Sequence, residues 1–320
     1  MPLTDLPLAE LEQYRPDVLQ PADFDAFWST TLEESRAAGG PVTLEPADTP
    51  VTELIVEDLT FPGFAGDPVR GWVTRPRTTG PLPTVVEFLG YGGGRGLAHE
   101  HLTWAASGFV HILMDTRGQG SAWGSGGETA DPHGSGVAFP GVMTRGILDP
   151  ADYYYRRLFT DGVRAVDAAR DLPFVDESRI AVTGGSQGGG ISLAVAGLRD
   201  DLWGVMPDVP FLSDFRRAIA VTPGAPFTEI TQYLAVHRQH AAQVLDTLSY
   251  FDGVNFARRA TAPALFSVAL MDTIVMPSTV FASFNHYAGA DREIEVYPYN
   301  NHEGGQGHQW LRQARWLAAH

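Results

Sequence analysis

Residues 184–188 read Gly184-Gly185-Ser186-Gln187-Gly188, a G-x-S-x-G sequence. The apolar run Arg179 to Thr183 before it has the pattern of a strand, and a helical pattern runs from Gly188 to Leu198. Between a strand and a helix, this sequence sets a serine on a sharp turn with its hydroxyl free to act as a nucleophile. The two elements pass closely there, so small neighbours are needed, and glycines stand on both sides of Ser186. The helix start adds free N–H groups and positive partial charge beside the hydroxyl. A glycine-rich loop with a surface serine would carry the same letters, but the flanking pattern favours a nucleophile.

A serine nucleophile needs a base, and the base needs an acid to orient it, in the chain order Ser, then Asp or Glu, then His. Asp272 follows the apolar run Ala264 to Leu270, and His302 follows the shorter run Glu293 to Tyr297. Alone, the first reads as a loop cap and the second as a solvated histidine. Together, at two later strand ends and in the right order, they complete a Ser-His-Asp set. Ser186 would attack a carbonyl carbon, and His302 would take its proton and deliver it to the leaving alcohol. Asp272 would fix the imidazole tautomer and stabilise its charged form. The oxyanion needs two backbone donors. The expected ones are the N–H of Gln187 and the N–H of Tyr91, in the loop Gly90-Tyr91-Gly92-Gly93-Gly94-Arg95-Gly96.

Other chemistries lack their residues. No Walker sequence and no G-x-G-x-x-G occurs in either glycine-rich loop. His302-Glu303 has Gln306 where a zinc-binding helix would need its second histidine. His237 and His240 read as surface residues of a helix, and Tyr153-Tyr154-Tyr155 as helix packing. The chain has no cysteine, which excludes thiolate zinc sites, disulfides and thiol nucleophiles. No metal and no cofactor is expected. The 22 Lys+Arg against 38 Asp+Glu give a net charge of −16 over 320 residues. That sign argues against nucleic acid and against anionic membrane surfaces. No apolar run is long enough to span a bilayer, and Met1 to Pro7 lacks the pattern of a secretory signal. A soluble, cytoplasmic protein is expected.

These residues must be held by a scaffold. Val51 to Phe61 and Val69 to Arg75 read as an antiparallel pair. From about residue 83 short apolar runs alternate with helical patterns. The strands are Thr84 to Leu89, Val110 to Met114, Arg179 to Thr183, Leu202 to Met206, Ala264 to Leu270 and Glu293 to Tyr297. The helices include Ala151 to Asp171, Gly188 to Leu198, Pro277 to Ala288 and Gly307 to Ala319. The alternation predicts one open, mostly parallel α/β sheet with helices on both faces. Residues 1–50, with a helical pattern at Pro21 to Ala38, read as a peripheral extension. Residues from about 210 to 262 read as a mainly helical insertion over the carboxyl edge of the sheet. Gly118 to Gly136 is a long loop of functional type. No linker divides the chain, so residues 1–320 are read as a single domain.

Three segments, Asp115-Thr116-Arg117-Gly118-Gln119-Gly120, Gly184-Gly185-Ser186-Gln187-Gly188 and His302-Glu303, resemble the signature motifs of the acetyl xylan esterase/cephalosporin-C deacetylase family, carbohydrate esterase family seven. Further similar segments are Leu6-Pro7-Leu8, Tyr14-Arg15-Pro16, residues 90–96, 143–147 and 249–252, and Pro298 to His302. The resemblance covers nearly the whole chain. It implies an α/β-hydrolase fold and a serine carboxylesterase that deacetylates small substrates such as acetylated xylo-oligosaccharides and cephalosporin C. It also implies an intracellular homohexamer, with Ser186, Asp272 and His302 catalytic and with Tyr91 and Gln187 as oxyanion donors. Arg117 and Gln119 are then structural. Phe211 and Ile274, each beside a strand end, are candidate acyl-pocket residues. A broader short-chain esterase or lactonase, and a catalytically silent binding protein on the same fold, stay open as alternatives.

Overall fold

The computed structural model describes residues 5–134 and 136–320. Met1–Thr4, the start of the segment read for a secretory signal, and Ser135, in the glycine-rich loop, lie outside the described residues. Among the described residues nine strands form one sheet. They are β1 (Thr43–Pro46), β2 (Leu54–Pro62), β3 (Pro68–Pro76), β4 (Leu82–Phe88), β5 (Val110–Met114), β6 (Val175–Gly185), β7 (Gly204–Asp208), β8 (Ala264–Ala269) and β9 (Arg292–Tyr297). Their spatial order is β1-β2-β3-β5-β4-β6-β7-β8-β9. The pairs β1/β2, β2/β3 and β3/β5 are antiparallel, and every later pair from β5/β4 to β8/β9 is parallel.

The helices are α1 (Leu8–Leu11), α2 (Phe24–Ala38), α3 (Thr103–Ala106), α4 (Tyr154–Arg170), α5 (Gln187–Leu198), α6 (Phe215–Val221), α7 (Phe227–Val236), α8 (Ala241–Ser249), α9 (Gly253–Ala257), α10 (Pro277–His286) and α11 (Gln306–Ala319). Adjacent strand residues point to opposite faces, and the central strands divide their side chains accordingly. Val86, Val182, Val205 and Phe266 join the core beneath α4 and α5. Their neighbours Val85, Ala181, Met206 and Leu265 join a second core with Trp104 of α3 and Trp316 of α11. This double burial is why β5 (VHILM) and β8 (ALFSVA) are buried at every position and read as unbroken runs rather than alternations.

The expected strands and helices are present, with ends shifted by a few residues. The strand read at Leu202 to Met206 runs from Gly204 to Asp208. It follows the register of β6, in which Gly185 faces Asp208. β1 was not expected: its four residues are mostly exposed and carry no alternation.

Two regions pack more deeply than their sequence suggests. Phe24 and Trp28 of α2 are almost fully buried. They meet Phe159, Phe251 and Phe256 in an aromatic cluster, and the Trp28 indole donates to the Tyr250 carbonyl. α2 is therefore built into the core. The insertion also divides. α9 packs into that same cluster through Phe256, while the chain around Pro226, just before α7, reaches the carboxyl edge of the sheet. Apolar contacts between segments far apart in the chain place α2 and α9 together.

Candidate active site

Ser186 lies between the last residue of β6 and the first of α5, with φ 57° and ψ −117°. A side chain pays a steric penalty in this conformation. The surroundings hold it there: Ser186 N–H donates to the Asp208 carbonyl at 2.9 Å, and Phe211 N–H donates to the Ser186 carbonyl at 2.9 Å. Gly184 and Gly188 permit the close approach. A Cβ on Gly188 would fall 2.1 Å from the Phe88 carbonyl oxygen, and one on Gly184 would fall 2.6 Å from it. Gly185 meets nothing within 4 Å, so no steric need explains that glycine.

His302 Nε2 is 3.0 Å from Ser186 Oγ, and His302 Nδ1 is 2.8 Å from Asp272 Oδ2. Asp272 is fully buried, and its other oxygen accepts from the Ile274 and Val275 N–H groups at 2.8 and 2.9 Å. Both loops are tied together by Asn301. Its Oδ1 accepts from Thr273 N–H at 3.1 Å and from His302 N–H at 2.9 Å, fixing the acid loop against the histidine loop. With Nδ1–H given to the carboxylate, Nε2 is left as the acceptor for the serine proton.

The oxyanion loop is held at both ends of one peptide unit. The Trp123 indole N–H donates to the Tyr91 carbonyl at 2.7 Å, and the Gly92 N–H donates to Gln119 Oε1 at 2.6 Å. In the preceding peptide, the Gly90 carbonyl accepts from Gly93 N–H at 3.1 Å. A trans peptide points its N–H opposite to its C=O, so the Tyr91 N–H faces out of that turn. Gln187 N–H, at the first position of α5, has no helical carbonyl to donate to. The Gln187 side chain bonds Gln119, Tyr155 and the Leu89 carbonyl. The tyrosine run expected to serve packing is indeed buried at the start of α4, yet Tyr154 and Tyr155 also bind Gln119 and Gln187.

Behind this loop, the fully buried Arg117 donates to both oxygens of Asp161 at 2.5 and 2.8 Å and to Asp67 at 3.0 Å. Its carbonyl accepts from Tyr154 Oη at 2.6 Å, which aims Gln119 two residues on. Glu229 of α7 accepts from the Tyr91 hydroxyl at 2.6 Å and from Met143 N–H at 3.1 Å. Burial raises the Glu229 carboxyl above its usual range, with these two bonds opposing it.

A cavity of about 370 Å³ opens at the pair, lined by Gly90, Tyr91, Trp123, Ser186, Ala225, Pro226, Ile274 and His302. Ile274 lines this cavity. Phe211 does not: it is fully buried against Phe227, with ring centroids 4.3 Å apart, and does not line this cavity. The bond from its N–H to Ser186 turns the chain so that its ring enters the core. Trp123 and Pro226 line the cavity as well. Trp123, Glu229 and Asp208 carry no motif signal, because their roles arise from distant partners. His237 and His240 are half-buried rather than exposed, stacked 5.2 Å apart beside Tyr233. No cluster able to hold a metal ion occurs among the described residues.

A serine at a strained strand–helix turn, with its acid and histidine on later loops at the carboxyl edge of a mostly parallel sheet, defines the α/β-hydrolase architecture. More narrowly, the chain belongs to the acetyl xylan esterase (AXE1) family, which matches residues 1–320. It is similar to the acetyl xylan esterase of Paenibacillus sp. R4, with 38% identity, TM-score 0.90, and 98% of this chain and 100% of that one covered. It is also similar to acetyl xylan esterase 1 of Thermoanaerobacterium sp. JW/SL YS485, with 33% identity, TM-score 0.90, and 98% and 99% covered. The acetyl esterase Axe7A of Xylanibacter ruminicola is 28% identical over 302 residues, which is 91% of this chain and 65% of that protein. This chain therefore spans just under two thirds of that relative. The α/β-hydrolase GrgF of Penicillium sp. sh18, at 17% identity and TM-score 0.57 over 83% of this chain and 98% of that one, shares the fold.

Proposed function

We propose that this protein is a serine carboxylesterase that removes acetyl groups from small acetylated substrates through an acyl-enzyme. The carrying observation is the Ser186–His302–Asp272 line at 3.0 and 2.8 Å, on a serine held in a strained turn. Ser186 Oγ attacks the acetyl carbonyl carbon as His302 Nε2 takes its proton, and the oxyanion is received by the Tyr91 and Gln187 N–H groups. The intermediate collapses, the C–O bond to the alcohol breaks, and His302 gives its proton to the leaving oxygen. Water then repeats the sequence on acetyl-Ser186 and frees acetate. No cofactor is needed.

Family membership supports acetylated xylo-oligosaccharides as substrates, and the exposed Trp123 indole at the cavity mouth suits a sugar or aryl alcohol. The resemblance to carbohydrate esterase family seven extends the proposal to cephalosporin C, to a cytoplasmic location and to a homohexamer. The net charge of −16 is in keeping with a protein that binds neither nucleic acid nor membrane. No helix among the described residues is long and apolar enough to cross a membrane.

The test is turnover of acetyl, propionyl and butyryl esters of aryl and sugar alcohols, compared by kcat/KM. Acetyl esters should lead, and Ser186→Ala should lose activity by at least about a thousandfold with its circular dichroism unchanged. A preference for butyryl would replace the deacetylase reading with a broader esterase. Failure of a fluorophosphonate to label Ser186 would favour the silent binding protein.

A further inference from the structure

A second cavity, of about 180 Å³, reaches the catalytic pair from another wall. It shares Ser186 and His302 with the substrate cavity and no other lining residue. The substrate cavity is bounded by Tyr91, Trp123, Pro226 and Ile274, which are mostly apolar. The second is bounded by β7, β8 and the start of α11, and it has more polar character than the first: Asp208, Ser267, Glu303 and Gln309 line it alongside Val209 and glycines. The Asp208 carboxylate accepts from Ser267 Oγ at 3.1 Å, from Gln309 Nε2 at 2.9 Å and from Gln313 Nε2 at 2.8 Å. Among the described residues no cation pairs with it, so its partners are neutral donors. Burial pushes it up to about 7. A pocket of this size, with a carboxyl, a hydroxyl and an amide along its wall, has both the room and the partners to hold several waters.

We infer that this cavity is the site of the hydrolytic water, separate from the route of the alcohol. The inference rests on the esterase reading above. After the alcohol leaves, acetyl-Ser186 must be attacked by water and not by a second alcohol. Water held in this cavity arrives beside His302 without crossing the apolar mouth. Its oxygen bonds to the acetyl carbon while His302 Nε2 takes one of its protons. The bond between that carbon and Ser186 Oγ then breaks, His302 returns the proton to Oγ, and acetic acid departs. Asp208 touches no reacting atom. It is a positioning residue for the water, and through its carbonyl it also anchors Ser186 N–H.

The test is product partitioning. The protein is given p-nitrophenyl acetate with benzyl alcohol as a competing acceptor suited to the aromatic mouth, and benzyl acetate and acetate are both measured. Gln306 lines the second cavity at an exposed rim position, so Gln306→Trp narrows it without touching the substrate cavity. The ratio of benzyl acetate to acetate should rise on the order of tenfold. Glu303→Trp, at the same rim but on the loop before α11, should raise it likewise if α11 is disturbed by the first change. An unchanged ratio in both variants overturns the water site. Absence of any p-nitrophenol release by the unmodified protein would instead sink the esterase reading.

Discussion

Gln119 and Gln187 are joined side chain to side chain: Gln119 Nε2 donates to Gln187 Oε1 at 3.0 Å, while Gln119 Oε1 accepts from Gly92 N–H at 2.6 Å. One amide thus links the residue after the nucleophile to the loop of Tyr91, so the two proposed oxyanion donors are positioned by a third residue. Gln119→Ala leaves both donors present but no longer aligned. Displacements of an ångström at such sites cost about a hundredfold. The expected outcome is a kcat lower by about that factor, with KM within a few fold and the melting temperature little changed. A loss confined to KM would mean that Gln119 does not act on the oxyanion.

Trp123 is 51% exposed, yet it is pinned by its bond to Tyr91 and by contact with Gly93, where a Cβ would fall 2.3 Å from the indole. Trp123→Ala removes both a stacking face and a clamp. KM for aryl and xylosyl acetates should rise by about fivefold, in line with about 1 kcal/mol for an aromatic contact. Trp123→Phe should restore KM while leaving kcat low, because the ring returns without its N–H. Steady-state kinetics of both variants separate the two roles.

Arg117 is fully buried with Asp161. Arg117→Met would leave that carboxylate buried without its cation, at a cost of about 3–5 kcal/mol. Denaturant unfolding should show this as a lower midpoint. A midpoint within error of the parent would mean that Asp161 is neutral in the folded protein.

Burial raises several carboxyls, among them Asp208 to about 7 and Asp252 to about 6. A folded-state value above the unfolded one means that the folded protein holds the proton longer. Stability therefore falls as pH rises from about 4 towards 7 on account of these groups, by an amount on the order of 1 kcal/mol or more. Asp5, Asp131 and Asp167 are lowered: burial opposes the shift, and hydrogen bonds and arginines outweigh it. Their contribution is present at neutral pH and lost as pH drops below about 4. Melting temperature should thus peak in mildly acid solution and decline towards pH 7. Asp208→Asn should flatten the decline, and an equal decline in that variant would remove Asp208 as its source.

Much of the fold was legible because its signals are local. β5 and β8 are continuous apolar runs, and the glycines around Ser186 mark a turn whose strand and helix are readable on either side. The order of Ser186, Asp272 and His302 could be placed on strand ends from the same pattern. Trp123, Glu229 and Asp208 could not, since a tryptophan in a glycine-rich loop or an acid within a helix has no periodic signature. Phe211 was misplaced for a related reason: proximity to a strand end does not say which way a ring turns.

Most element types, the strained turn at Ser186 and the family motifs could be read locally, because these depend on residues within a few positions of one another. The distances of 3.0 and 2.8 Å along the catalytic line were set by the folded arrangement. That arrangement also joined Gln119 to Gln187 across 68 positions, buried α2 among Phe159, Phe251 and Phe256, and left two cavities meeting at Ser186 and His302. Those outcomes depend on packing between segments far apart in the chain, where the hydrophobic effect supplies the drive but side-chain shape selects the neighbours.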